Sequence, residues 1–180
     1  KNKKNIFITE KENNYLNIIA KKFESEIIEH RNFIGGRYSV LSEVGMLPAE
    51  LMGLNPDKFK QLNYLIKNKS FINQLILNVE ATLNYLKKGK FVSVILNYDQ
   101  KSENLFKWYQ QLIAESLGKK NKGFLPLIST APKDHHSLLQ LYLDGPKDKI
   151  FQIFSVEKNL KIKFNSRKNN YLKNKDITFI

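Results

Sequence analysis

The chain has 180 residues, of which 42% are hydrophobic and 12% aromatic, and its formal net charge is +13. This composition excludes a disordered chain, and no apolar run approaches the roughly 20 residues that a membrane-spanning helix requires. We therefore expect one soluble, cytoplasmic domain over residues 1–180, with no membrane contact. The sequence contains no cysteine, which excludes disulfides, thiolate catalysis and cysteine-ligated zinc.

The positive charge raises the question of a nucleic-acid partner. Of the 30 basic residues, 27 are lysine, and only Arg31, Arg37 and Arg167 are arginine. The lysines are scattered over every segment, whereas proteins that read DNA grooves depend on arginine for bidentate contacts. We interpret the charge as solvated surface and expect no nucleic-acid partner; a basic patch assembled only by folding is the alternative.

The first predicted elements form a parallel βαβ unit. Residues 4–10 are typical of a buried strand, residues 13–23 carry apolar side chains at helical spacing, and residues 26–30 are a second short strand. A Gly35-Gly36 pair follows. Because ligands collect at the carboxyl ends of parallel strands, this loop lies where a binding site is expected.

The rest of the chain continues the alternation of helices and strands. The predicted helices are 39–53, 58–69, 70–88, 104–118 and 135–143, and the predicted strands are 90–98, 124–130, 149–157 and 160–164, with loop over 165–175. The strand at 90–98 is almost continuously apolar, which favours the centre of a sheet, and Pro126 indicates either an irregularity in its strand or a sheet edge. The pattern predicts an α/β fold, a three-layer αβα sandwich with a mostly parallel sheet.

The first candidate site lies within residues 33–47, FIGGRYSVLSEVGML. A glycine pair permits positive φ or a close approach of the backbone to a ligand, and the adjacent Arg37 presents a fixed, permanently charged fork. The spacing alone does not distinguish such a site from an ordinary loop with Arg37 in solvent.

A second candidate lies on the helix at 104–118. Gln111 and Glu115 are four residues apart and share one helix face, with Trp108 close by. A carboxylate partly enclosed beside an aromatic ring is suited to act as a general base. The alternative is a solvated glutamate near the end of a helix.

His135 and His136 open the last predicted helix, which Asp134 or Ser137 can cap. Histidine transfers protons near neutral pH, but adjacent rings point in different directions and cannot easily serve one site. No third ligand has suitable spacing, so we expect no metal. His30, at a strand end, is expected to be structural.

Four segments resemble the glucose-6-phosphate isomerase family in the same order. They are GGRYSVLSEVGMLPAELMG, ILNYDQ, WYQQLIAESLGK and STAPKDHHSLLQLYLDGP, and they span nearly all of residues 33–146. The resemblance implies a sugar isomerase (SIS) domain in a homodimeric enzyme that interconverts glucose 6-phosphate and fructose 6-phosphate without metal or organic cofactor. Its partner would be a small-molecule sugar phosphate.

The resemblance also implies roles for individual residues. Glu115 corresponds to the catalytic base, Arg37 to the cation that stabilises an enediolate, and Gln111 and Gly36 to neighbours of the substrate. Ser116 keeps the family pattern, as do Gly118 and Lys119.

The family histidine that assists opening of the sugar ring is lent to the active site of the neighbouring subunit. The match to H-S-x-x-Q-L selects His136 for this role and leaves His135 without one. The chain departs from the pattern at Leu117, where asparagine is usual and a local hydrogen bond is expected to be lost, and at Ala131, where glycine is usual.

Two parts of the family pattern are not found in residues 1–180: a serine-threonine phosphate loop of an earlier SIS domain and a lysine on a C-terminal helix. We therefore expect the second SIS domain of a longer isomerase, inactive alone. The competing hypothesis is a non-catalytic SIS module that binds phosphosugars. Such a sensor has no reason to keep glutamate and arginine facing each other across a cavity.

Overall fold

The computed structural model describes residues 5–156, in which parallel strands alternate with helices. The strands are Ile6–Thr9 (β1), Glu26–Glu29 (β2), Val92–Asn97 (β3), Leu125–Thr130 (β4) and Lys149–Phe154 (β5). The helices are Tyr15–Lys22 (α1), Glu43–Leu51 (α2), Asp57–Lys60 (α3), Tyr64–Lys67 (α4), Lys69–Lys87 (α5), Glu103–Leu117 (α6) and His135–Asp144 (α7). The predicted strand at 160–164 and the loop at 165–175 lie outside the described residues.

The first βαβ unit has the predicted form. β1 and β2 are parallel, from the pair Ile6 and Glu26 to the pair Thr9 and Glu29. α1 joins them and begins at Asn14, whose side chain accepts a 2.9 Å hydrogen bond from the backbone N–H of Asn17. This cap satisfies one of the amide groups that a helix start leaves without a partner.

The second sheet has the strand order β4-β3-β5, with both pairings parallel. β3 is central, as its apolar sequence predicts, and Val94 and Ile95 are 0% and 5% exposed. β4 lies at an edge among the described strands, which agrees with Pro126, since proline cannot donate to a second neighbour.

Helices cover this second sheet on both faces. Phe106 of α6 packs edge-on against Phe154, with ring centroids 4.7 Å apart, and Tyr142 of α7 packs against Phe151 at 5.2 Å. Phe151 and Phe154 are three residues apart on β5, so their side chains point to opposite faces of the sheet. α6 and α7 therefore form the outer layers of a three-layer arrangement around β5, as predicted.

The structure differs from the predictions in how the strands are joined. We expected one mostly parallel sheet, but among residues 5–156 the strands pair as a two-stranded and a three-stranded sheet.

Two predicted helices are also divided. The helix predicted at 39–53 is a 3-10 helix, Gly36–Leu41, followed by α2, because Ser42 takes an extended backbone and caps α2 through Val44. The helix predicted at 58–69 is divided into α3, a 3-10 turn and α4, and Asn68 rather than Ser70 caps α5.

Candidate active site

Arg37 is carried by the 3-10 helix that follows β2. Gly35 has extended backbone and precedes the helix, and the Ser39 hydroxyl donates a 2.7 Å hydrogen bond to the carbonyl of Gly36. α2 packs tightly on this helix at Gly45, where an added Cβ would overlap the carbonyl oxygen of Val40. The segment that carries Arg37 is therefore packed directly against α2.

The side chain of Arg37 reaches the last turn of α6. Its Nη1 atom lies 3.6 Å from Oε2 of Glu115, and its Nε donates a 3.0 Å hydrogen bond to the hydroxyl of Ser116. The side chain of Arg37 is 24% exposed and that of Glu115 is 50% exposed. Two residues that the sequence placed in separate motifs are thus in contact, although Glu115 is less enclosed than we expected.

Gln111 adds a second contact to Glu115. Its Nε2 donates a 2.9 Å hydrogen bond to Oε1 of Glu115, which agrees with the shared helix face predicted from their spacing. The two carboxylate oxygens therefore face different partners, an amide and a guanidinium. This arrangement orients the carboxylate.

Trp108 and Tyr38 complete the surroundings of Arg37. The indole N–H of Trp108 donates a 2.8 Å hydrogen bond to the backbone carbonyl of Arg37, so Trp108 contacts the arginine segment. The guanidinium lies 4.7 Å from the ring centroid of Tyr38, whose hydroxyl is 3.2 Å from Ser116 Oγ. These contacts were not predicted, and adjacency to Arg37 in sequence was the only signal for Tyr38.

The pKa of Tyr38 is lowered from its ordinary value. The largest cause is the hydrogen bond with Ser116, followed by the hydrogen bond with Arg37, whose positive charge acts in the same direction. A cationic side chain stabilises the phenolate form of a nearby tyrosine. The surroundings of Arg37 therefore favour negative charge.

The glycine pair does not adopt the positive φ that its sequence permits. Gly35 has φ −64° and ψ 152°, and Gly36 is not among the glycines with left-handed backbone. An added Cβ at Gly36 would meet no atom within 4 Å. Gly36 is therefore not required by the turn, and the space beside it is open to a ligand.

The two histidines of α7 separate, as expected for adjacent rings. His135 is half-buried, and its Nε2 lies 3.3 Å from the hydroxyl of Tyr98, at the carboxyl end of β3. His136 is exposed. Within residues 5–156 the structure brings Arg37, Glu115 and Gln111 into contact, and His136 lies on the surface of α7.

Residues 5–156 form neither a metal cluster nor a membrane span. No group of three or more histidine, aspartate or glutamate side chains in this part of the chain is arranged to hold a metal ion. No helix of the same residues has the length and apolar character to cross a membrane.

The arrangement brings a carboxylate and a guanidinium to one surface. A carboxylate can accept a proton from carbon, and a guanidinium with five N–H donors can stabilise the negative charge that remains. These two groups are the base and the cation that proton abstraction beside a carbonyl needs.

Curated proteins match most of the chain. It is 38% identical over 144 residues to a glucose-6-phosphate isomerase of Methanocaldococcus jannaschii, covering 77% of this chain and 36% of that protein. It is 35% identical to the enzyme of Mycoplasma capricolum, covering 85% of this chain and 37% of that protein. This chain belongs to the glucose-6-phosphate isomerase family. No family model matches it.

The match to glucose-6-phosphate isomerase is partial in length. The relative from Rubrobacter xylanophilus is 32% identical over 86% of this chain, which is 37% of its own length. The chain thus spans little more than a third of the curated isomerases that it matches.

A solved structure supports the same fold. A hypothetical protein from Thermus thermophilus superposes with a TM-score of 0.74 and 26% sequence identity, covering 96% of this chain and 45% of that chain. The predicted α/β fold with parallel strands is therefore confirmed, both by the strand pairing and by this likeness.

Proposed function

We propose that the protein containing this chain interconverts glucose 6-phosphate and fructose 6-phosphate, a step of glycolysis and gluconeogenesis, in the cytoplasm. The reaction needs no metal or organic cofactor. It moves one proton between C2 and C1 of the open-chain sugar, and the observation that carries the proposal is the contact of Arg37 with Glu115 at 3.6 Å.

Glu115 acts as the general base in this proposal. Its carboxylate takes the proton from C2 of the aldose and the electrons form a cis-enediolate. A second proton moves from the C2 hydroxyl to O1 of the enediolate, and the same carboxyl group then returns the first proton to C1, which gives the ketose. General base catalysis contributes about 10²–10⁴-fold to a rate.

Arg37 stabilises the negative charge that develops on the enediolate oxygens. A preorganised donor of this kind is commonly worth about 3 kcal/mol. Ser116 holds Nε, so the guanidinium plane is oriented before substrate arrives. Gln111 orients the carboxylate, and Gly36 leaves room for the sugar beside the arginine.

His136 assists opening of the sugar ring from a neighbouring subunit. Its exposed position on α7 supports this role, since a side chain that acts in another subunit must project from its own. The proposed assembly is a homodimer of the complete protein.

A non-catalytic module that binds phosphosugars would not need this pairing. A sensor needs groups that recognise phosphate or hydroxyl, whereas the family resemblance and the orientation of Glu115 by Gln111 favour proton transfer. This chain alone is proposed to be inactive, because it spans about a third of the relatives' length.

The experiment is Glu115→Gln in the full-length protein. We expect the variant to bind glucose 6-phosphate but to lose isomerisation and the exchange of the C2 proton of this sugar with deuterium from solvent. The matched control is Glu103→Gln on the same helix, where the carboxylate pairs only with Lys107 at 2.9 Å among the described contacts. Exchange at the wild-type rate in Glu115→Gln would refute the proposal.

A further inference from the structure

His30 lies at the point where β2 ends and the arginine segment begins. Its backbone N–H donates a 2.8 Å hydrogen bond to the carbonyl of Thr9 on β1. Its ring contacts two further elements, with Nε2 3.1 Å from the carbonyl of Ile34 and Nδ1 bonded to the carboxylate of Glu43 in the first turn of α2. The His30 side chain is 15% exposed.

The two ring contacts determine the charge of His30. Both partners, a backbone carbonyl and a carboxylate, can only accept hydrogen bonds. A neutral imidazole has one N–H donor, so it can satisfy one partner and must lose the other. Both contacts exist together only when the ring is protonated and cationic.

The two ring partners of His30, Ile34 and Glu43, flank the segment that carries Arg37 in the sequence. Ile34 comes just before the glycine pair, and Glu43 begins the helix that is packed on the 3-10 helix at Gly45. On the other side, α6 holds the same segment through Trp108 and Ser116. The segment is therefore tied to the two-stranded sheet by one imidazole and to α6 by the hydrogen bonds of Trp108 and Ser116, the latter bonding to both Arg37 and Tyr38.

We propose that His30 and Glu43 are positioning residues for Arg37, and that loss of the His30 proton breaks one of the two ring contacts, which loosens the arginine segment and weakens its contact with α6. Neither residue touches the reacting atoms. The consequence for catalysis rests on the proposed function, because it is Arg37 whose position the pair controls.

The charges around His30 agree with a cationic ring. The pKa of His30 is raised, chiefly by its hydrogen bond with Glu43, and the charges of Glu43 and Glu10 act in the same direction while burial opposes them. The pKa of Glu43 is lowered, first by His30, and the charge of Arg31 adds to this. The hollow beside the ring is lined by further charged side chains of both signs, namely Lys11, Glu12, Glu29 and Arg31.

Trp108 provides a direct probe, since it is the single tryptophan of the chain and bonds to the backbone of Arg37. We expect its fluorescence emission to change as pH is raised from about 5 to 9, with a midpoint above the ordinary histidine value of about 6.5. His30→Gln should abolish this transition. The matched control His135→Gln, which removes an imidazole that contacts Tyr98, should retain it.

A second variant covers the case in which His30→Gln does not fold, as judged by far-UV circular dichroism. Glu43→Gln keeps an acceptor but removes the charge, so the midpoint should move to lower pH. The ¹⁵N shifts of the His30 ring in the unmodified chain measure the same titration. The proposal is overturned if the ring titrates at or below about 6.5, or if Trp108 emission does not follow that titration.

Kinetics in the full-length protein separates positioning from the reaction itself. If the isomerase proposal holds, Glu43→Gln should shift the basic limb of the pH profile of kcat/KM to lower pH. If the full-length protein has no isomerase activity, the proposed function fails while the Trp108 titration still decides whether the pair positions Arg37. An unchanged pH profile in an active Glu43→Gln enzyme would contradict the positioning role.

Discussion

The Nε atom of Arg37 donates a 3.0 Å hydrogen bond to the hydroxyl of Ser116, a residue 79 positions later in the chain. This bond joins the 3-10 helix that follows β2 to the last turn of α6. It also fixes the plane of the guanidinium, because Nε and the two Nη atoms lie in one rigid fork. The charge of Arg37 is thereby directed at Glu115.

Arg37→Lys tests the importance of the fork. Lysine keeps the charge but carries it on one flexible ammonium group, so it cannot reproduce the planar fork in which Nε bonds to Ser116 while Nη1 faces Glu115. We expect the full-length protein to lose isomerase activity by about 10²–10³-fold, the effect of losing one preorganised donor. Arg31→Lys is the matched control, since Arg31 lies over the ring of Phe33, and it should keep wild-type kcat. Near-normal activity in Arg37→Lys would contradict the role of the fork.

The Gly36→Ala variant distinguishes an effect on stability from an effect on ligand binding. Because an added Cβ at Gly36 meets no atom within 4 Å, the free energy of unfolding should change by no more than about 0.5 kcal/mol. If the sugar phosphate approaches this backbone, KM should rise in the full-length protein.

Gly45→Ala is the matched comparison for Gly36→Ala. Its Cβ would overlap the Val40 carbonyl, so overpacking should lower the free energy of unfolding by about 1–3 kcal/mol. Urea unfolding measures both variants. Equal stability of the two would show that the packing of α2 on the 3-10 helix is not as described.

The stability of the chain should depend on pH through His30 and Glu43. The pKa of His30 is raised above 6.5, so its contribution is full below 6.5 and is lost as pH rises through the folded value. The pKa of Glu43 is lowered below 4.5, so its contribution is present above 4.5 and is lost as pH falls through the folded value. The ion pair of His30 and Glu43 therefore stabilises the folded chain most between about pH 4.5 and 6.5.

Urea unfolding of wild type and His30→Gln at about pH 5.5 and 8.5 measures this dependence. We expect the difference in free energy of unfolding between the two proteins to be larger at the lower pH. A difference of the same size at both values would contradict the pair's contribution.

The 180-residue chain alone should show little or no isomerase turnover. It spans little more than a third of the length of its relatives. Residues 1–180 show neither the serine-threonine phosphate loop of the family pattern nor the family lysine that lies on a C-terminal helix. A coupled assay of fructose 6-phosphate formation measures this, with the full-length protein as the positive control. Robust turnover by the isolated chain would contradict the proposal that it is inactive alone.

Local patterns predicted much of the fold. The apolar run of β3 predicted its place at the centre of a sheet, Pro126 was compatible with an edge position for β4, and the spacing of Gln111 and Glu115 predicted that they share a helix face, on which they form a hydrogen bond. Each of these properties depends on neighbours in sequence or on the composition of one segment. The division of the helix predicted at 39–53 was missed, because Ser42 can either continue a helix or cap a new one.

By itself, the sequence determined the alternation of strands and helices, the family, and the residue types of the candidate site. Only the tertiary structure decided that Arg37 meets Ser116 and Glu115, that Trp108 holds the arginine backbone, and that His30 bonds to both Ile34 and Glu43. Periodicity reports which face of an element is apolar, whereas a contact across tens of residues depends on how separate elements pack. The site arises from that packing, because its partners lie on segments that no local pattern relates.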